Sequence, residues 1–197
     1  PNNVGGAGTN TGGGSHPDLE ELASAPVFDA TGITFQFTPT VPQIFFNYAF
    51  ASEEYCEYVG AGFNDVFGFF ISGPGMNGGF LLNGENIAVI PGTSTAVAID
   101  EVNHVSNTAY FVGNSNTCNS TFNMDDIQFD GFTTVLTAVA NVQPCETYFI
   151  RLLVGDSGDG IFDSAVFLEA NSFNAGGASG GEAISPSTGT NITYEAC

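Results

Sequence analysis

Two acidic stretches carry the side chains with chemistry to offer. Asp156-Ser157-Gly158-Asp159-Gly160-Ile161-Phe162-Asp163-Ser164 spaces three carboxylates between glycines, and a glycine-rich turn can aim several oxygens at one point. Ser52-Glu53-Glu54-Tyr55, followed by Phe63-Asn64-Asp65, is the second cluster. Carboxylates, amide oxygens and backbone carbonyls are hard donors, and calcium takes about six to eight of them. The first stretch is not an EF-hand, because that motif's register of alternating acids and its closing glutamate are missing. Glu53 and Glu54 directly follow an apolar run and are expected to be partly desolvated, so one would stay protonated unless a cation neutralised it. Asp125-Asp126 with Asp130 and Gly131 forms a third acidic group, which reads mainly as turn chemistry.

Charge sharpens the expectation of a metal. The chain has 21 acidic residues against a single basic one, Arg151, giving a formal net charge of -20 over 197 residues. Hydrophobic residues make up 43% of the sequence, too many for a disordered acidic tail, so carboxylates must crowd together on folding with almost no protein cation to pair them. Bound Ca2+ is the expected substitute. Nucleic acid and anionic lipid are excluded as partners, since both are held through Lys and Arg. The absence of lysine also excludes Schiff-base chemistry, P-loop phosphate binding and Lys-to-Asn isopeptide bonds.

Catalytic patterns are sparse. His16 and His104 are the two histidines, neither lies beside a nucleophile motif such as GxSxG, and both read as surface residues. Glu53 with Glu54 or Asp156 could form a glycosidase pair, but the chain is read as a non-enzyme. An acid-lined site could instead hold sugar through a bridging calcium, which makes a lectin-like module the stronger rival to a structural role. Four cysteines, Cys56, Cys118, Cys145 and Cys197, form no CxxC motif; they allow two disulfides in three connectivities and suit an oxidising, secreted setting. No apolar run reaches the roughly 18 to 20 residues of a membrane helix, so membrane insertion is not expected.

The elements that must position these acids are nearly all strands. Residues 1–15 are rich in Gly, Asn and Thr and read as a loop ordered only by its neighbours, in a chain with the look of a processed or truncated piece. Ser15-His16-Pro17-Asp18-Leu19-Glu20-Glu21-Leu22 predicts a short helix near 18–23, capped by Ser15 or Asp18. Ile33, Phe35 and Phe37 alternate with polar residues as in a half-buried strand, and 44–50, apolar on both faces, reads as a central one. Further strands are predicted at 66–72, 87–90, 110–112, 133–140, 148–154 and 165–170. Short Gly, Pro, Asn and Asp clusters separate them, which predicts an all-β, two-layer antiparallel sandwich of jelly-roll type with one short helix. Residues 174–197 read as a Gly/Ser-rich linker, with Ile192-Thr193-Tyr194 a short terminal strand.

Five motifs taken in order resemble the choice-of-anchor L domain. They are Phe50-Ala51-Ser52-Glu53-Glu54-Tyr55, Phe63-Asn64-Asp65-Val66-Phe67-Gly68-Phe69-Phe70, Asn86-Ile87-Ala88-Val89-Ile90-Pro91-Gly92-Thr93, Asp130-Gly131-Phe132-Thr133 and Asp163-Ser164-Ala165-Val166-Phe167-Leu168-Glu169-Ala170. The resemblance covers about 16–173 and implies a secreted bacterial surface protein of a kind common in Bacteroidota. It implies an extracellular β domain and no enzymatic activity. Carried over to this sequence, it points to Glu53, Glu54, Asn64, Asp65, Asp156, Asp159 and Asp163 as the acidic motif residues that would hold calcium. The family domain usually has further N-terminal strands before the Gly/Asn-rich segment, where this chain begins. The edge so exposed implies self-association by strand addition, or pairing with other surface proteins; glycans are the alternative partner.

Overall fold

A computed structural model describes residues 7–118 and 127–176. It consists of one short helix, α1 (Pro17–Ala23), and nine strands: β1 (Val27–Phe37), β2 (Gln43–Ser52), β3 (Val66–Ser72), β4 (Glu85–Asn86), β5 (Phe111–Gly113), β6 (Gly131–Thr133), β7 (Leu136–Asn141), β8 (Tyr148–Ser157) and β9 (Ser164–Leu168). They form two antiparallel sheets. One has the order β1-β8-β3-β4; in the other β2 is central, with β6 and β7 as partners and β9 also paired to it, while β5 extends β6. The all-β sandwich expected from the sequence is the fold observed.

Aromatic rings fill the space between the sheets. Phe46 meets Phe69 with centroids 4.8 Å apart, Tyr48 meets Phe67 at 5.3 Å, and Phe50 stacks on Phe67 at 4.9 Å, so β3 lies over β2. Large aromatic area compensates for the missing tryptophans. A smaller cluster, Leu19, Val27, Val66, Phe70, Ala98 and Leu153, packs α1 onto the outer face of the first sheet.

Arg151 stands beneath that helix. On β8 it is buried, with Nε 2.8 Å from Asp18 Oδ2, an NH2 donating to the Leu81 carbonyl at 2.8 Å and an NH1 donating to Ser72 Oγ at 3.2 Å. The only lysine or arginine of the sequence is thus consumed inside the fold. Trypsin should therefore leave the native protein intact and cut it once, after Arg151, when urea passes the unfolding midpoint, giving two fragments that separate on reduction because Cys145 is disulfide-bonded; native-state cleavage at a rate independent of urea would contradict this burial.

Four local expectations are corrected. The helix cap is His16, whose Nδ1 accepts from the Asp18 amide at 3.2 Å, in place of Ser15 or Asp18. Residues 87–90 are extended but form only an isolated bridge, Val89 to Ala96, because Asn86 Oδ1 takes the Phe69 and Ala88 amides and the ladder stops. The predicted strand 133–140 is broken at Thr134, whose amide turns to the Tyr110 carbonyl, leaving β6 and β7 on successive parts of β2. β8 runs on to Ser157 because β1 and β3 hold it from both sides, so Asp156 is a strand residue and not a loop residue. The predicted strand at Ile192-Thr193-Tyr194, together with Cys197, lies outside the described residues.

Candidate functional site

Strand polarity brings the acids together. In the antiparallel sandwich the ends of β2 and β8 and the starts of β3 and β9 fall at one end of the molecule. Glu53 and Glu54 follow β2, Asp65 precedes β3, Asp156 lies in the last residues of β8, and Asp163 precedes β9. The register fixes this, with Ser52 opposite Ser164 and Val66 opposite Gly155. Gly158, at φ +101°, lets the later loop press on the earlier one; a Cβ there would stand 2.8 Å from the Gly62 carbonyl oxygen.

Asp65 is the anchor of the cluster. Fully buried, it accepts from the Ser157 amide at 3.0 Å and from the Ser164 hydroxyl at 2.6 Å, tying β3 to β8 and β9. The Glu53 amide donates to the Asp163 carbonyl at 3.2 Å, and the Glu54 amide to Ser52 Oγ at 2.9 Å. Glu53 and Glu54 are both buried, and Glu54 Oε2 finds no hydrogen-bond partner. Asn64 is engaged elsewhere, its side-chain oxygen accepting from the Asp100 amide at 2.9 Å. Asp159 caps its own turn by accepting from the Ile161 amide at 3.1 Å.

Crowding without a cation moves the protons. Burial, then repulsion from Asp65, Asp159, Asp156 and Asp100, pushes Glu54 up to about 9. Burial pushes Asp65 up to about 7, against the pull of the Ser164 and Ser157 hydrogen bonds, with Asp159 and Asp163 adding repulsion. Asp156 also rises to about 7, by burial and then by the charges of Asp65, Asp163, Asp29 and Asp159. The acids far apart in sequence therefore share one electrostatic neighbourhood. Arg151 gives no relief, being five residues from Asp156 along β8, roughly 16 Å at strand spacing.

Two further carboxylates belong to this end. Asp100 accepts from the Gly60 amide at 2.6 Å, and Asp29 accepts from the Thr11 and Gly13 amides at 2.7 and 2.5 Å. The Thr11 bond is the main cause of a lowered Asp29 pKa. Asp100 closes the apolar run Ala96-Val97-Ala98-Ile99, and an acid ending such a run was the available signal; Asp29 stands in the left-handed region at φ 48°, which a linear pattern does not announce. Residues 7–14 are held by these contacts as a strap across the site. Besides the Asp29 bonds, the Thr9 amide donates to Asp163 Oδ1 at 3.1 Å and the Asp163 amide to the Ala7 carbonyl at 3.2 Å.

Among the described residues, no three acidic, histidine or cysteine side chains already stand close enough together to hold an ion. The chemistry on offer is a hydrogen-bonded frame of strand ends enclosing three acids whose pKa values burial and mutual repulsion raise. Asp130 is buried at the start of β6, where its carbonyl accepts from the Asn114 amide at 2.7 Å; Asp125 and Asp126 lie outside the described residues. Cys56 and Cys118 form a disulfide that ties the loop of Glu53 to Asp65 to the chain ahead of β6, and Cys145 is also disulfide-bonded. Two grooves of about 430 and 450 Å3 lie elsewhere, lined by Ile87, Val139 and their neighbours and by none of the clustered acids. His104 is exposed.

The family model described as the choice-of-anchor L domain matches residues 1–174, so the similarity extends through the strap as well as the sandwich. No curated protein and no solved structure is significantly similar to this chain.

Proposed function

This chain belongs to the choice-of-anchor L domain family, which makes it an extracellular or cell-surface β domain, and from that premise we propose that it is a calcium-stabilised structural or adhesive module that associates with copies of itself. The convergence of Glu54, Asp65 and Asp156 carries the reading: three buried acids repel one another at an end of the fold that no Lys or Arg reaches. A divalent ion drawn between them would replace protons, and Glu53, Asp159, Asp163 and backbone carbonyls would complete an oxygen shell. Asn64 would add the second lone pair of a side-chain oxygen that already accepts from the Asp100 amide.

The pH dependence follows from the direction of the shifts. Each of the three acids has a folded pKa above its unfolded value, so in EDTA the stability they permit is full below about pH 4. It is lost as pH rises through about 7 for the aspartates and about 9 for Glu54. Calcium needs the ionised forms, so its stabilisation should grow over the same range. Melting curves from pH 5 to 9, with millimolar calcium and with EDTA, should diverge as pH rises, with a Kd of about 10⁻⁴ to 10⁻³ M as in extracellular modules. Superimposed curves at pH 8 would end the calcium reading. Asp65→Asn and Glu54→Gln should each flatten the EDTA curve above pH 6 and remove most of the calcium response.

A second reading has its own observation. Tyr58, Phe63 and Phe162 form a half-buried ring cluster beside the acids, with Tyr58 5.8 Å from Phe63 and 5.2 Å from Phe162. Such rings could stack on a sugar held through the ion, which would make the module lectin-like. Glycan-array binding abolished by EDTA and by Tyr58→Ala would favour it over a purely structural role.

A further inference from the structure

β7 is an edge strand that nothing blunts. Among the described residues it pairs with β2 alone, and its sequence Leu136-Thr137-Ala138-Val139-Ala140-Asn141 holds neither a charge nor a proline. Exposed edges are ordinarily guarded by such residues or by a bulge, as β1 is between Phe28 and Thr31. The register shows which groups this edge presents. The Val142 amide donates to the Pro42 carbonyl at 2.9 Å, continuing the pairs that run from Gln43 opposite Asn141 to Tyr48 opposite Leu136. Opposed residues of an antiparallel ladder are alternately bonded and unbonded, so Leu136, Ala138 and Ala140 bond to β2 while Thr137, Val139 and Asn141 turn their amides and carbonyls away from it.

A groove borders that edge. The cavities of about 430 and 450 Å3 described above meet at Ile87 and Val139, so together they follow the strand from Thr134 to Gln143, roughly 30 Å at strand spacing. Met76, Ile87, Val89 and Tyr110 line them with β7, whose Val139 is 45% exposed and whose neighbour Val135 is 67% exposed. The segment 87–90 does not fill the edge, because the Ile87 amide donates to the Phe69 carbonyl and Val89 bridges Ala96. Glu85, exposed at one end, is the sole charged residue lining either cavity.

We propose that this groove takes an extended segment of another protein, added as a strand along β7, with alternating apolar side chains and a lysine or arginine where it passes Glu85. Backbone bonds to Thr137, Val139 and Asn141 would hold it, and side chains laid over Ile87 and Val89 would select it. Charge favours this occupant over a second copy. Each copy carries a net charge of -20 and buries its sole arginine, so a partner copy has no lysine or arginine to set against Glu85. A basic segment is instead drawn in by the field of the whole domain. None of the clustered acids lines the groove, so the contact stands apart from the calcium reading.

The test uses the full chain and, as probe, a synthetic peptide of about nine residues that alternates Val and Thr between terminal lysines. Fluorescence anisotropy should show saturable binding with a Kd below about 1 mM, and at least about ten-fold weaker binding of the same peptide ended in glutamates. Amide hydrogen exchange, followed by NMR, should slow at Thr137, Val139 and Asn141 when the peptide is bound. Val139→Pro removes the central outward amide without touching the ladder to β2 and should abolish binding. Glu85→Gln should weaken the lysine-ended peptide about three- to five-fold, as loss of a rim ion pair does. Binding that does not saturate, equal affinity for the glutamate-ended peptide, unchanged binding by both variants, or protection away from these three amides would each overturn the proposal. Protection of the same amides in the protein alone, rising with its concentration, would overturn it as well, because a second copy would then hold the edge.

Discussion

Arg151→Met is expected to lower the melting midpoint by about 10 °C or more, the largest loss of any single substitution considered for this fold. The guanidinium holds Asp18, the Leu81 carbonyl and the Ser72 hydroxyl in a buried layer beneath α1. Asp18 also accepts from the Leu81 amide at 2.7 Å, so removing the arginine strands a buried carboxylate that is fixed in place by its second bond. Breaking one side of a buried pair costs about 3 to 5 kcal/mol, and each kcal/mol moves the midpoint of a domain this size by about 2 to 4 °C. The pair itself contributes less than that figure, since both desolvation costs vanish together. Asp18→Asn combined with Arg151→Met should therefore recover much of the loss. Thermal melts of the single and double variants decide it; a double variant no better than Arg151→Met would mean that the arginine acts through packing and not through charge.

Removing the Cys56–Cys118 bridge is the second large effect. The two cysteines are separated by 62 residues, and the chain-entropy model gives about 4 kcal/mol for a loop of that length. Cys56 is also part of the inter-sheet core, so the variant Cys56→Ala with Cys118→Ala loses packing as well. A fall of about 10 °C in the midpoint is expected. The same bridge anchors the loop that runs from Glu53 to Asp65, so affinity for the calcium proposed there should fall with stability, which a distant packing defect would not cause. Calorimetric titration at a temperature well below both midpoints checks this: an unchanged Kd would confine the bridge to a stabilising role. Two substitutions are preferable to a reductant, because Cys145 is disulfide-bonded too.

Strands with a clean pattern were legible in the sequence. Residues 66–72 are predicted and observed with the same limits, because every side chain there is buried and the run is bounded by Asp65 and Gly73. The sandwich follows from many such runs with turn clusters between them. The failures share a cause, namely polar side chains acting on the backbone. Asn86 ends a ladder that Ile87 to Ile90 would otherwise continue, and His16 caps a helix in place of the more usual serine. β8 outlasts its apolar run because pairing on both sides, and not hydropathy, sets its end. The acids were individually visible, and their convergence follows from antiparallel strand order. Asp29 joins them through contacts with Thr11 and Gly13 that no local pattern encodes, whereas Asp100 was marked only by the apolar run it closes. Asn64 reads as a metal donor in sequence, and in the fold its side-chain oxygen also accepts from the Asp100 amide.

Burying the sole guanidinium leaves an outer surface on which no lysine or arginine offsets the carboxylates. Two such particles repel over about 30 Å in fresh water at 0.01 M salt, and over about 8 Å at 0.15 M. How densely they crowd on any substrate is then set by the salinity of the medium before short-range contacts come into play.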